Sequence, residues 1–230
     1  MRRLLALLPA LAALPALAAR PMITDDARTV DAKACQLETW QRVNRDNREY
    51  WALPACNFSG NLELTVGGGV EWGDGNRTTD VVLQGKTLFK PLATNGYGIG
   101  LVVGTVRHPA INTGSNSLGD AYAYAPTSFS FADDRVVVHT NLGAQYAAAA
   151  GHLHATWGIG SEIQVSNRAW VIGETFGRSQ ERSWFQVGLR YWIVPERVQI
   201  DTTYGNGYNL ESSGRWISIG LRLLTPAFLP

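Results

Sequence analysis

The chain has 230 residues, 45% of them hydrophobic and 17% charged, with a formal net charge of +1, 24 glycines and two cysteines. Near-neutral charge without a clustered basic surface excludes nucleic acid as a partner. Beyond the first twenty residues no run of about 18 apolar residues occurs, which excludes a membrane-spanning helix.

Met1-Arg2-Arg3 is a basic start, Leu4 to Leu14 is apolar, and Ala16-Leu17-Ala18 has a small-x-small pattern. Together they predict an export signal over residues 1–18, cut after Ala18. The apolar run is too short for a retained span and is broken by Pro9 and Pro15. The residue directly after the cut is Ala19 and not a cysteine, so a lipid anchor is not expected. Loss of Arg2 and Arg3 takes the formal charge to −1. Residues 19–33 are polar and aperiodic, and are expected to form a periplasmic lead-in or a plug of a lumen. Residues 34–230 are expected to form one domain.

From Cys35 onward the hydrophobic residues alternate, the mark of strands with one apolar and one polar face. The expected strands are Cys35–Val43, Arg48–Pro54, Asn61–Trp72, Thr79–Lys90, Tyr97–Arg107, Ala121–Phe131, Val136–Tyr146, His152–Ile163, Ala169–Phe176, Trp184–Ile193, Val198–Tyr204 and Trp216–Leu223. Ala121–Phe131 is the weakest, because Pro126 removes a ladder donor. In Trp184–Ile193 the residues Phe185, Val187, Leu189, Tyr191 and Ile193 share one face, and Gln186, Gly188 and Arg190 the other. Connections near Cys56–Gly60, Pro91–Asn95, Asp133–Asp134, Val165–Arg168 and Pro195–Arg197 are short. Those near Gly73, His108–Asp120, Gly177–Arg182 and Gly205–Gly214 are mostly longer. A greasy face ending in Tyr and Trp, with short turns at one end and longer loops at the other, predicts an all-β, antiparallel transmembrane β-barrel. A spanning strand takes about 9–11 residues, so about twelve strands fit the length, with ten or fourteen as alternatives.

Cys35 and Cys56 are symmetric about Arg45-Asp46, the centre of a turn-like Asn44-Arg45-Asp46-Asn47. An exported chain meets an oxidising compartment, so one N-terminal hairpin disulfide is expected, at the periplasmic rim.

The polar parity carries the candidate lumen residues Glu38, Glu63, Asp80, Lys86, His152, His154, Glu162, Glu174, Arg190, Asp201 and Arg222, with Glu71 and Lys90 on the same face. Buried charge is costly unless paired or wet, so these residues imply an aqueous lumen or an ion-pair network. His152 and His154 form an H-x-H pair about 6.6 Å apart by strand rise. A metal site would need a third ligand such as His139, and polar lumen residues are the preferred reading, with no metal. Gly96-Tyr97-Gly98-Ile99-Gly100 echoes a nucleotide-binding glycine loop, but a strand follows where that motif needs a helix, so no cofactor is expected. No spacing marks a serine nucleophile with its histidine, so catalysis is not expected.

Arg20-Pro21-Met22-Ile23-Thr24-Asp25-Asp26-Ala27, followed by Cys35-Gln36-Leu37-Glu38, resembles the outer-membrane family associated with the meta-cleavage pathway of phenol degradation. Its members open with a Pro-x-x-Thr-Asp-Asp-Ala-like stretch and carry an inward glutamate on the first strand, matched here by Glu38. Lys86 and Glu174 are similar to lumen positions typical of that family. The resemblance implies an outer-membrane barrel aiding entry of small, often aromatic, molecules, and it brings no catalytic residues. The chain departs from such barrels in ending Phe228-Leu229-Pro230 rather than on the aromatic residue that marks them for insertion.

The expected protein is therefore a Gram-negative outer-membrane barrel that passes or binds a small solute, aromatic or hydrophobic, through a narrow charged lumen. Its expected partners are outer-membrane lipid, the solute and the barrel-assembly machinery. Alternatives are a non-transporting structural or adhesive barrel, a lipid-modifying enzyme, and a soluble barrel with an apolar ligand.

Overall fold

The structure, a computed structural model, describes residues 22–73, 76–109, 118–209 and 214–230. The leader expected over residues 1–18 lies outside the described residues. The strands are β1 (Cys35–Asn44), β2 (Asn47–Asn57), β3 (Leu62–Gly73), β4 (Asn76–Lys90), β5 (Tyr97–Arg107), β6 (Asp120–Phe131), β7 (Val136–Ala147), β8 (His152–Ser166), β9 (Ala169–Arg178), β10 (Trp184–Val194), β11 (Val198–Gly207) and β12 (Trp216–Leu224). Each is antiparallel to its neighbour, and β12 pairs with β1 from Gln36↔Leu224 to Asn44↔Trp216. The sheet is thus a closed twelve-stranded barrel with no free edge.

Alternation in sequence becomes inside and outside. On β7, Val137 and His139 are buried, while outward Leu142 is 71% exposed. Exposed Val66, Leu83, Val103, Leu153, Ile159, Leu189 and Ile219 continue the apolar surface around the barrel. Aromatic residues flank it in two groups. Phe89, Tyr97, Phe129, Phe131 and Tyr191 lie near one end; Tyr50, Trp72, Tyr146 and Tyr204 lie near the other. An apolar band between two aromatic girdles is the exterior of an outer-membrane-type barrel.

Tight turns such as 132–135, 167–168 and 195–197 lie at the end with the first group, and the longer connections 108–119, 179–183 and 208–215 at the other. In such barrels the short-turn end is periplasmic. At that end neighbouring turns clasp each other. Thr94 Oγ1 donates to Asp134 Oδ2 at 2.6 Å, and Asn95 Nδ2 donates to Asp133 Oδ1 at 2.6 Å. Hydrogen bonds from Ser130 and Thr94 hold the Asp134 carboxyl below the usual range.

Pro126 does not shorten its strand: β6 runs the full Asp120–Phe131. Pro126 pairs with Asn141 of β7, while the β5 ladder skips from Thr127 to Tyr124, which places the missing N–H in the skipped interval. Bulges at Leu88/Lys90, Gln164/Ser166 and Trp192/Val194 cluster at the short-turn rim, where barrels commonly carry them. The first reverses an expectation. Lys90 has the parity of an inward residue, yet it is exposed, with Nζ 3.4 Å from the centre of the outward Tyr97 ring.

Cys35 and Cys56 are direct cross-strand partners joined by a disulfide at the short-turn end. The ladder continues past it, with Lys33 N donating to Asn57 O and Asn57 N to Ala34 O. The crosslink closes 21 residues of chain. Replacing both cysteines with serine should cost about 3 kcal/mol of stability for a loop of that size. Guanidinium unfolding of the refolded barrel in lipid vesicles checks this, and an unmoved midpoint would show that the β1–β2 ladder alone holds the seam.

Candidate functional site

Residues 22–34 do not hang below the barrel. At Lys33 the backbone takes a left-handed turn (φ 62°), and the segment before it lies within the lumen, with Met22, Thr24, Asp25, Asp26, Ala27 and Val30 all buried. An irregular buried segment must find partners for its main chain, and the inward side chains of the strands supply them. Glu174 of β9 accepts from Ile23 N and Thr24 N, each at 2.6 Å. Asn141 of β7 accepts from Asp25 N at 2.7 Å and donates to Asp25 O at 3.0 Å. Ser128 of β6 accepts from Ala27 N at 2.8 Å, and Glu63 of β3 accepts from Val30 N at 2.7 Å. Asn57 closes the row, donating to Val30 O at 2.8 Å.

Charge holds the same segment. Lys86 Nζ lies 2.8 Å from Asp25 Oδ1 and 3.2 Å from Asp26 Oδ1, and Tyr124 OH donates to Asp25 Oδ2 at 3.0 Å. Burial works against an ionised Asp26, but Lys86 and Arg28 outweigh it and hold its carboxyl well below the usual range. Taking away one member of such a buried pair typically costs about 3–5 kcal/mol. The wall opposite is shaped to receive the segment. A Cβ at Gly160 would collide with Met22 Cε, and one at Gly158 would come 2.6 Å from Thr24 Oγ1.

The other inward charges form linked pairs. Arg190 meets Glu162 at 2.7 Å, and its strand partner in register is Asp201. Arg222 lies 3.4 Å from Glu38 and donates to Gln36 at 2.6 Å. Asp80 lies 2.7 Å from His108 Nδ1 near the long-loop end, where His108 Nε2 is 3.9 Å from Asp120. Of the eleven residues expected on the lumen side, Glu38, Glu63, Asp80, Lys86, Glu162, Glu174, Arg190 and Asp201 are buried, and Arg222 is half-buried. His152 and His154 are different. They sit at the first and third positions of β8, His152 exposed and His154 half-buried with Nδ1 3.1 Å from Ser179 O at the rim. Parity gave their side of the sheet, but their depth depended on where the strand begins. His139 does not join them: it pairs with Gly160, whereas His154 pairs with Gln145.

His139 belongs to a chain of groups that spacing in the sequence does not reveal. Its Nδ1 lies 2.8 Å from Ser128 Oγ, and its Nε2 lies 3.2 Å from Glu162 Oε1. Ser128 Oγ thus bridges Ala27 N and the imidazole, whose other nitrogen faces the Glu162 carboxylate. Ser128 and His139 have zero exposure, and Ala27 covers the hydroxyl. The arrangement anchors the segment and leaves no approach for a substrate carbonyl.

The segment divides the lumen. Toward the short-turn end a polar space of about 30 Å³ lies among Gln36, Glu38, Glu63, Lys86 and Arg222. Toward the long-loop end a vestibule of about 100 Å³ has Ile23 and Thr24 at its base, with Tyr122, Tyr124, Phe176, Asn141, Gln145 and Arg178 around it. The Tyr122 and Tyr124 rings lie 6.1 Å apart, nearly parallel, and their hydroxyls are occupied by Gln84 and Asp25, so they offer ring surface. These aromatic residues alternate on β6 as any buried strand face would, and only closure of the barrel places them beside Phe176 of β9.

A family model described as "Uncharacterised conserved protein UCP029691" matches residues 5–224. The chain belongs to that family. No curated protein matches this UCP029691 member. Among solved structures it is similar to the KdgM porin, with a TM-score of 0.63 at 10% identity over 82% of this chain and 98% of that one. It is similar to the NanC porin with a TM-score of 0.61 at 9% identity, again over 82% and 98%. The COG4313 outer membrane channel from Pseudomonas putida F1 aligns at a TM-score of 0.57 and 10% identity, over 87% of this chain and 98% of that one. At such low identity these likenesses concern the barrel fold.

Two expectations follow from the geometry. Glu174→Ala leaves two buried main-chain N–H groups without acceptors, at about 1–3 kcal/mol each. Hydrogen exchange at Ile23 and Thr24 should then speed up at least tenfold while amides of the β1–β2 ladder stay protected. At the mouth, burial lowers the pKa of His108, but the hydrogen bond and charge of Asp80 outweigh it and raise the pKa above the ordinary 6.5. The Asp80–His108 attraction is therefore complete below that ordinary value and is lost as pH rises through the higher folded value. An NMR titration of the His108 ring should show this elevation, and Asp80→Asn should bring the midpoint back down.

Proposed function

We propose that this protein is an outer-membrane channel for small solutes whose own N-terminal segment obstructs the lumen, and that the solute class is small and largely apolar, including aromatic compounds. The lodging of residues 22–30 across the barrel carries this reading. Near the segment, Lys86 meets Asp25 and Asp26, Arg190 meets Glu162, and Glu174 takes N–H donors, so the lumen at that level is largely occupied by a polar network. Above it, the vestibule offers two tyrosine rings and Phe176, with Asn141, Gln145 and Arg178 beside them, which suits a small ring compound with an apolar face. The resemblance of the Thr24-Asp25-Asp26-Ala27 stretch to the phenol-associated barrels points to the same solutes. Neither the buried Ser128–His139–Glu162 chain nor the rim histidines support a hydrolytic reading.

Passage then requires the segment to shift or leave, against the Glu174 and Lys86 contacts. Planar-bilayer conductance of the refolded full chain and of a chain lacking residues 19–33 tests this, with folding checked by heat-modifiable gel migration. The full chain should give small or rare steps, and the truncated chain stable larger ones. Glu174→Ala with Lys86→Met in the full chain should fall between them. Equal conductance in all three would remove the obstructing role. Silence from a folded truncated barrel would favour a structural role in the membrane.

A further inference from the structure

Inward arginines of this barrel face carboxylates: Arg42 meets Glu49, Arg190 meets Glu162, Arg222 meets Glu38 and Arg178 meets Glu181. Two outward arginines at the long-loop end differ. Arg48 of β2 and Arg77 of β4 are exposed, and among the described residues neither has a carboxylate within 4.0 Å. Both are direct cross-strand partners of Trp72 on β3. They therefore flank one outward indole, two strand spacings or about 9.6 Å apart. The Arg77 guanidinium lies 5.6 Å from the centre of the Trp72 ring, which settles its direction. Tyr50 packs edge-on against the same ring at 5.3 Å, and its hydroxyl takes a hydrogen bond from Gln41 at 2.8 Å. Trp72 and Tyr50 thus mark the level where lipid tails give way to headgroups.

We propose that Arg48 and Arg77, set on either side of Trp72, form a binding site for the phosphate of an anionic outer-leaflet lipid. The indole packs on the top of the acyl region, and the two guanidinium groups reach a phosphate oxygen from either side. Arginine suits this because its fork bonds two phosphate oxygens at once. The site rests on the orientation used above, with the long loops facing outside.

Native mass spectrometry of the refolded full chain in a neutral detergent tests the assignment, with bisphosphorylated lipid A as the probe. Each arginine beside an anionic lipid contributes about 1 kcal/mol, or roughly fivefold in affinity. Arg48→Gln with Arg77→Gln should therefore weaken lipid A binding about 25-fold. Arg135→Gln with Arg168→Gln, at the opposite rim, should leave binding unchanged. Dephosphorylated lipid A should bind the native chain no better than it binds the Arg48/Arg77 variant. Equal lipid A binding by the native chain and that variant would overturn the site. Loss confined to the Arg135/Arg168 variant would overturn it and reverse the orientation, while leaving the conductance test of the lumen untouched. Displacement of lipid A by millimolar inorganic phosphate would overturn the choice of a lipid as the ligand.

Discussion

Lys86 stands almost fully buried inside the barrel, and an ammonium in that position costs several kcal/mol unless counter-charges meet it. Asp25 and Asp26 meet it, and they come from a stretch of chain that belongs to no strand. That one contact orders much of what surrounds it. With Asp25 and Asp26 fixed, the main chain on either side needs acceptors, and Glu174, Asn141, Ser128 and Glu63 are placed to provide them. His139, Glu162 and Arg190 then follow as the supports of Ser128. A buried network of this kind is valuable when complete and costly when one member is missing.

The same network sets how firmly the segment is held. The segment is held by polar contacts, which depend on geometry and charge state, and by a thin apolar contact through Met22 and Ile23. Polar contacts of this sort can be exchanged for water when the segment moves, at modest net cost. The strand ladder offers no such exchange, because in lipid its hydrogen bonds have no alternative partner. The wall is consequently the rigid part, and the segment is the element whose opening can be low in free energy.

Outside, the requirements are simpler. The barrel shows apolar side chains to the acyl region, aromatic rings at both edges, and arginines at the long-loop rim. Inside and outside are decided by the same period of two, so a single residue out of register would exchange a network member for a lipid-facing residue. The bulge that turns Lys90 out onto Tyr97 is a local instance of that exchange.

Much of this was legible in the chain itself. Period-two alternation located all twelve strands to within a few residues, since facing along a strand depends only on parity. The spacing of Cys35 and Cys56 about Arg45-Asp46 likewise marked a hairpin crosslink, because both partners lie within one local motif. What alternation could not provide was depth and pairing between distant strands. His152 and His154 share the parity of Glu162, yet they lie at the rim, because depth depends on where the strand begins. Ser128, His139 and Glu162 lie on three successive strands, and only the ladder register brings them into line. The polar stretch 22–34 had no periodicity to read, so its place in the lumen was settled by the closed barrel, whose inward Glu174, Asn141, Glu63 and Lys86 converge on its main chain and carboxylates.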